Sequence, residues 1–139
     1  MPCQFVLARD GTVVLEQWAG RVSLEDLVGH KTSLAKNLSL KAGASVLSDC
    51  TRASFKFSPD AITKLSEMEN DPDSDTRIKR YAFLVSESDY DKAQQFANAV
   101  EKYGKVVIVF NSLDVASTWL GMDMSEVVAL LQSMESVAD

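Results

Sequence analysis

Short apolar runs alternate with longer stretches in which apolar residues recur every three or four positions. The short runs are rich in β-branched or apolar residues and predict five strands, at residues 3–8, 13–18, 46–50, 80–85 and 105–110. The longer stretches predict helices at residues 24–37, after Pro59, after Ser88, around Ala116 and at residues 124–137. Strands and helices therefore alternate after the second strand.

The connections between the predicted strands indicate the type of sheet. Asp10-Gly11 lies between the first two strands and is a typical hairpin signal, so this pair should be antiparallel. The later strands are joined through helices, which is typical of parallel strands with right-handed crossovers. We predict an α/β fold with a mixed five-stranded sheet covered by helices.

Composition and charge narrow the range of functions. The 139 residues suit a single domain, residues 1–139, and the net charge of −6 disfavours nucleic acid and anionic membranes as partners. No apolar run approaches the roughly 20 residues that span a bilayer, and no secretory leader is evident. The two cysteines, Cys3 and Cys50, read as buried thiols of a reducing compartment. We expect a cytoplasmic protein.

Four segments, taken in order, resemble the STAS superfamily. They are GRVSLED at residues 20–26, VLSD at 46–49, RYAFLV at 80–85 and VFNSLDVASTWLG at 109–121. Within the superfamily, the chain is most similar to small stand-alone bacterial proteins of the SpoIIAA-like or STAS/Sec14-like type. The resemblance implies a non-enzymatic regulatory module that binds another protein. It covers residues 5–121, so the helix at residues 123–137 is an additional C-terminal element.

The resemblance also implies a site after the third strand. Aligning Asp49 and the Ser54-Phe55 pair with the anti-sigma-factor antagonists places Ser58 at the position that a partner kinase phosphorylates. Phe57, Pro59 and Asp60 depart from that motif, so the switch is expected to be degenerate. We favour the simpler interpretation, in which Ser58 is the N-cap of the next helix. The predicted partner surface, for a kinase-like or anti-sigma-like protein, comprises Asp49, Thr51, Arg52, Phe55, Phe57 and Asp60.

Two other functions compete with this interpretation. A small-molecule or lipid-binding domain of the Sec14 type would need an apolar pocket lined by Trp18, Phe83, Phe96 and Trp119; the same rings could instead fill the core. An enzyme would need a partner for the single histidine, His30, and the sequence offers no such partner. We therefore expect no catalytic residues, no metal and no cofactor, and we consider a homodimer through the C-terminal helix.

Overall fold

The five predicted strands form one sheet in a computed structural model that describes residues 2–56, 58–71 and 77–138. The strands are β1 (Cys3–Ala8), β2 (Val13–Val22), β3 (Ser45–Phe55), β4 (Arg80–Leu84) and β5 (Val106–Phe110), and they follow one another across the sheet in chain order. β1 pairs with β2 antiparallel, and every later pair is parallel. The predicted α/β class and mixed sheet are confirmed.

Helices cover both faces of this sheet. They are α1 (Leu24–Ala35), α2 (Pro59–Glu67), α3 (Tyr90–Val100), α4 (Leu113–Trp119) and α5 (Met124–Ala138). Ser23 and Asp26 form a reciprocal capping box that begins α1, and Ser112 caps α4, because side-chain oxygens satisfy amides that the first helical turn leaves unpaired. Among the described residues, no helix is both long enough and apolar enough to span a bilayer.

The alternation of side chains along each strand creates two cores. Leu15, Leu47 and Ala82 pack on α4 and α5, where Val127 and Leu131 are buried against them. The intervening positions of the same strands face α1, α2 and α3. The sheet is therefore the middle of three layers, and residues 14, 16 and 18 of β2 share the α1–α3 face.

Two predicted boundaries are wrong in an instructive way. The sequence predicts a loop after residue 50, but β3 continues to Phe55 because β2 also continues, to Val22, and the two pair over this length. A register shift between Gln17 and Ala19 permits the extension, and Gly20 accommodates a positive φ of 75° there. Residues 51–55 are thus part of a strand.

The turn between β1 and β2 requires its glycine for reasons of space. Arg9 and Asp10 both have positive φ, as does Gly11 at 84°. A Cβ at Gly11 would lie 2.0 Å from the carbonyl oxygen of Ser39, on the segment after α1. The turn is a short 3-10 turn at Arg9–Gly11, and any side chain at residue 11 would push the two segments apart.

Candidate functional site

A cavity of about 120 Å³ lies between the sheet and the layer formed by α1, α2 and α3. Its walls are mainly apolar, and side chains from three strands and three helices contribute to them. They include Trp18, Cys50, Phe55, Tyr81 and Phe83 from the sheet, Leu27, His30, Lys31 and Leu34 from α1, Ile62 and Leu65 from α2, and Ala93 and Phe96 from α3. The cavity is partly open to solvent rather than sealed within the core.

Three of the four rings predicted to line an apolar pocket do so. Trp18, Phe83 and Phe96 face the cavity, and the centroids of Phe83 and Phe96 lie 5.8 Å apart. Trp119 is on the other face of the sheet, where its ring packs on Phe110 and beneath the Arg80 guanidinium at 4.1 Å. The prediction for Trp119 is wrong because α4 crosses the opposite side of the sheet from α3.

One end of the cavity holds a buried carboxylate paired with the histidine. Glu16 Oε2 contacts His30 Nε2, and the Trp18 indole nitrogen donates to Glu16 Oε1 at 3.4 Å. Burial alone would raise the pKa of Glu16, but the contact with His30 and hydrogen bonds from Ser48 and Trp18 outweigh it and hold the pKa below its ordinary value. Glu16 is therefore ionised inside the protein.

The two thiols near this end are protonated. Cys3 Sγ lies 3.9 Å from His30 Nε2, and burial together with the nearby Glu16 raises the pKa of Cys3 well above its ordinary value. Burial likewise raises the pKa of Cys50 to about 12, although a hydrogen bond with Ser48 opposes the shift. Neither thiol is a nucleophile in this state, since nucleophilic attack requires the thiolate.

A second buried carboxylate, that of Glu69, contacts two residues that line the cavity. Glu69 Oε1 contacts Lys31 Nζ and accepts a hydrogen bond from the Tyr81 hydroxyl at 2.9 Å. Lys105 Nζ lies 3.8 Å from Glu69 Oε2, so two lysines flank one carboxylate. The Lys31 ammonium also lies over the Tyr81 and Phe96 rings, at 5.4 and 5.7 Å from their centroids.

The residues of the predicted partner surface have different exposures. Thr51, Arg52, Ser58 and Asp60 are exposed, whereas Asp49 is buried. The Asp49 carboxylate accepts hydrogen bonds from the Thr51 amide and hydroxyl, at 3.1 and 2.7 Å. Ser58 accepts from the Ala61 amide at 3.3 Å, which is the N-cap role. Phe57 lies outside the described residues.

Phe55 belongs both to this surface and to the cavity. It is half-buried at the end of β3, lines the cavity, and accepts a hydrogen bond at its carbonyl oxygen from Lys92 of α3. Lys92 also lies 3.8 Å from the Asp89 carboxylate. The end of β3, three residues before Ser58, is therefore attached to the start of α3.

Comparison with solved structures supports the fold predicted from the four segments. A protein from Shewanella loihica PV-4, described as an uncharacterized protein from the DUF3478 family with a SpoIIAA-like fold, superposes with a TM-score of 0.54. The alignment covers 85% of this chain and 91% of that chain, at 14% sequence identity. This chain has a SpoIIAA-like fold. No family model and no curated protein sequence matches it.

The two buried carboxylates near the cavity, Glu16 and Glu69, differ in how far the sequence predicts them. A signal existed for Glu16, because it alternates with Val14 and Trp18 and must share their buried face. No comparable signal existed for Glu69, which lies in a 3-10 turn after α2 and is nevertheless only 2% exposed. Its partners are Lys31 of α1, Tyr81 of β4 and Lys105, the residue before β5.

Proposed function

We propose that this SpoIIAA-like domain is a non-enzymatic binding module whose cavity holds a small, mostly apolar molecule about the size of one aromatic ring. The cavity of about 120 Å³ carries this proposal. An engineered apolar cavity of about 150 Å³ in another protein binds benzene, so the volumes are comparable. The same comparison disfavours a membrane lipid, whose acyl chain has many more carbon atoms than benzene.

The walls indicate what such a molecule should look like. Phe83, Phe96 and Tyr81 offer aromatic faces and edges, which favour a flat or compact apolar ligand. His30 and Lys31 offer polar atoms, but each is already paired with a buried carboxylate. Most of the affinity should therefore come from apolar contact, with at most one polar substituent on the ligand.

Tryptophan fluorescence tests the proposal directly, because the chain has two tryptophans on opposite faces of the sheet. In a Trp119→Phe variant, the emission of Trp18 alone should change saturably on addition of phenol, benzoate or another aromatic probe that contains no indole ring. In the matched Trp18→Phe variant, the remaining Trp119 should not respond. An unchanged Trp18 emission across the series, together with unchanged NMR shifts of cavity residues, would refute the proposal.

A second function rests on the exposed end of β3. Thr51 and Arg52 of β3 and Ser58 and Asp60 at the start of α2 are all exposed and accessible to another protein. We propose this surface as the contact for a regulatory partner of the kinase-like or anti-sigma-like type. Intact-mass analysis of the protein from its native host tests whether Ser58 is ever phosphorylated, and a mass that stays unmodified in all growth conditions argues against the switch.

The homodimer considered from the sequence remains a prediction. Val127, Leu131 and Met134 of α5 are buried within this chain, so a second copy would have to use the other sides of the helix. Light scattering at micromolar concentration distinguishes the monomer from the dimer.

A further inference from the structure

Three potential metal ligands of different chemistry converge at one end of the cavity. Cys3 Sγ lies 3.9 Å from His30 Nε2, Glu16 Oε2 contacts the same nitrogen, and the three ligand atoms all lie within 4.8 Å of one another. They come from β1, β2 and α1. Because sulfur and oxygen both approach Nε2, a single ion placed between them could replace both contacts.

We propose that Cys3, Glu16 and His30 bind a divalent transition-metal ion of the zinc class. Zinc accepts sulfur, imidazole nitrogen and carboxylate oxygen, and a thiolate in the set disfavours magnesium and calcium. Charge supports the assignment as well. A thiolate and a carboxylate together neutralise a divalent ion, so the occupied site places no net charge in a buried environment.

Neighbouring side chains would hold the ligands in position. The Trp18 indole donates to the Glu16 oxygen that does not contact His30, and Ser48 donates a further hydrogen bond to Glu16. Such outer contacts orient ligands in known metal sites. The His30 ring also packs edge-to-face on Phe5 and Trp18, with centroids 5.4 and 5.2 Å away, which restricts its rotation.

Binding exchanges protons for metal bonds. The Cys3 thiol releases its proton to solvent as sulfur binds the ion. His30 Nε2 donates its proton to the ionised Glu16, so this proton must also leave, to solvent or by transfer to Nδ1, before the nitrogen lone pair can bind the ion. Glu16 and His30 line the cavity, so the fourth coordination position would face it and take water or a ligand atom. This inference goes beyond the proposed function and does not depend on it.

The test uses tag-free, full-length protein incubated with Zn²⁺ and then desalted. We expect about one zinc per chain for the wild type, held by three protein ligands with the fourth position open to the cavity. The Cys3→Ser and His30→Gln variants should lose the ion. Cys50→Ser removes the other buried thiol, which is not in the three-residue cluster, and should retain it. Bound metal should also raise the melting temperature of the wild type by roughly 5 °C or more.

Co²⁺ supplies a second readout that does not depend on stoichiometry. A thiolate–cobalt charge-transfer band should appear in the wild type and in Cys50→Ser, and be absent from Cys3→Ser. If a substituted chain does not fold, the decisive measurement is made on the wild type instead. Added Zn²⁺ should then protect Cys3 from an alkylating reagent. Wild-type protein that retains no zinc, or a Cys3→Ser variant that matches the wild type, would overturn the proposal and leave Glu16 and His30 as a buried pair. An Ala93→Leu variant that binds Zn²⁺ but no aromatic probe would separate the two proposals.

Discussion

Filling the cavity from α3 is the sharpest test of whether it exists in solution. Ala93 lines the cavity, and Ala93→Leu adds three carbon atoms at its wall without introducing a polar group or a poor helix former. A real cavity and a fully packed core predict changes of opposite sign in the free energy of unfolding. A real cavity accepts the new atoms and the protein becomes more stable, whereas a packed core must deform and the protein becomes less stable.

The size of the stabilisation follows from the volume. At about 24 cal/mol per Å³, a cavity of about 120 Å³ represents at most about 3 kcal/mol of lost packing. Three buried carbon groups contribute about 2.4 kcal/mol, and ordering the leucine side chain costs about 0.5–1 kcal/mol. We therefore expect Ala93→Leu to raise the free energy of unfolding by about 1–2 kcal/mol.

Urea unfolding measures this change, because a domain of this size commonly unfolds in one step. Ala116→Leu is the matched control, since Ala116 is fully buried in α4 on the other face of the sheet and does not line this cavity. Overpacking there should cost about 1–3 kcal/mol. If Ala93→Leu is destabilised as strongly as Ala116→Leu, the cavity is closed in solution and the ligand-binding proposal loses its basis. If Ala93→Leu is stabilised, it should also no longer bind aromatic probes.

The remaining predictions concern buried and capping polar groups. Glu16→Gln should lower the free energy of unfolding by about 3 kcal/mol, because it leaves His30 without its buried partner, while Glu126→Gln, in an exposed pair with Arg9, should change urea stability little. The pKa of Glu16 in the folded protein lies below the ordinary value of 4.5. The ionised Glu16 therefore stabilises the fold above pH 4.5, and this stabilisation is lost as the pH falls through the lowered pKa. Acid titration followed by circular dichroism should show a shallower loss of stability in Glu16→Gln than in the wild type. Ser58→Ala should cost about 1 kcal/mol through loss of the α2 cap, and Ser58→Asn should restore it; equal thermal stability of all three proteins would contradict the capping role.

Local patterns predicted the fold because they act over short distances. The period of apolar residues, the serine caps and the Asp10-Gly11 turn each depend on a few neighbouring positions, and together they fix the order of strands and helices. The extension of β3 to Phe55 could not be predicted in this way. Residues 51–55 contain polar side chains and resemble a loop, and they become a strand only because Ala19–Val22 of β2 offers them backbone partners.

The candidate site was predicted in part for a related reason. A ligand-binding domain would need Trp18, Phe83, Phe96 and Trp119 around one pocket. Trp119 does not join the other three, because the face that α4 covers depends on the path of the whole chain. Pairs such as Glu16 with His30 join residues 14 positions apart on different elements. The sequence shows the residue types, whereas their convergence follows from the register of β1 and β2 and the angle of α1.

Phe55 is the structural connection between the two proposed functions. Its ring is part of the cavity wall, its carbonyl is held by Lys92 of α3, and Ser58 follows three residues later. A ligand that displaces the ring and thereby shifts the end of β3 or α3 alters the surface that includes Ser58, whereas a change of the Phe55 rotamer alone does not. Thermodynamic linkage then requires the reverse effect: a partner that prefers one position of this strand end changes ligand affinity by the same factor. A ligand that leaves Phe55 in place has no such route to the surface, so the position of this one ring decides whether the cavity regulates the partner or only stabilises the fold.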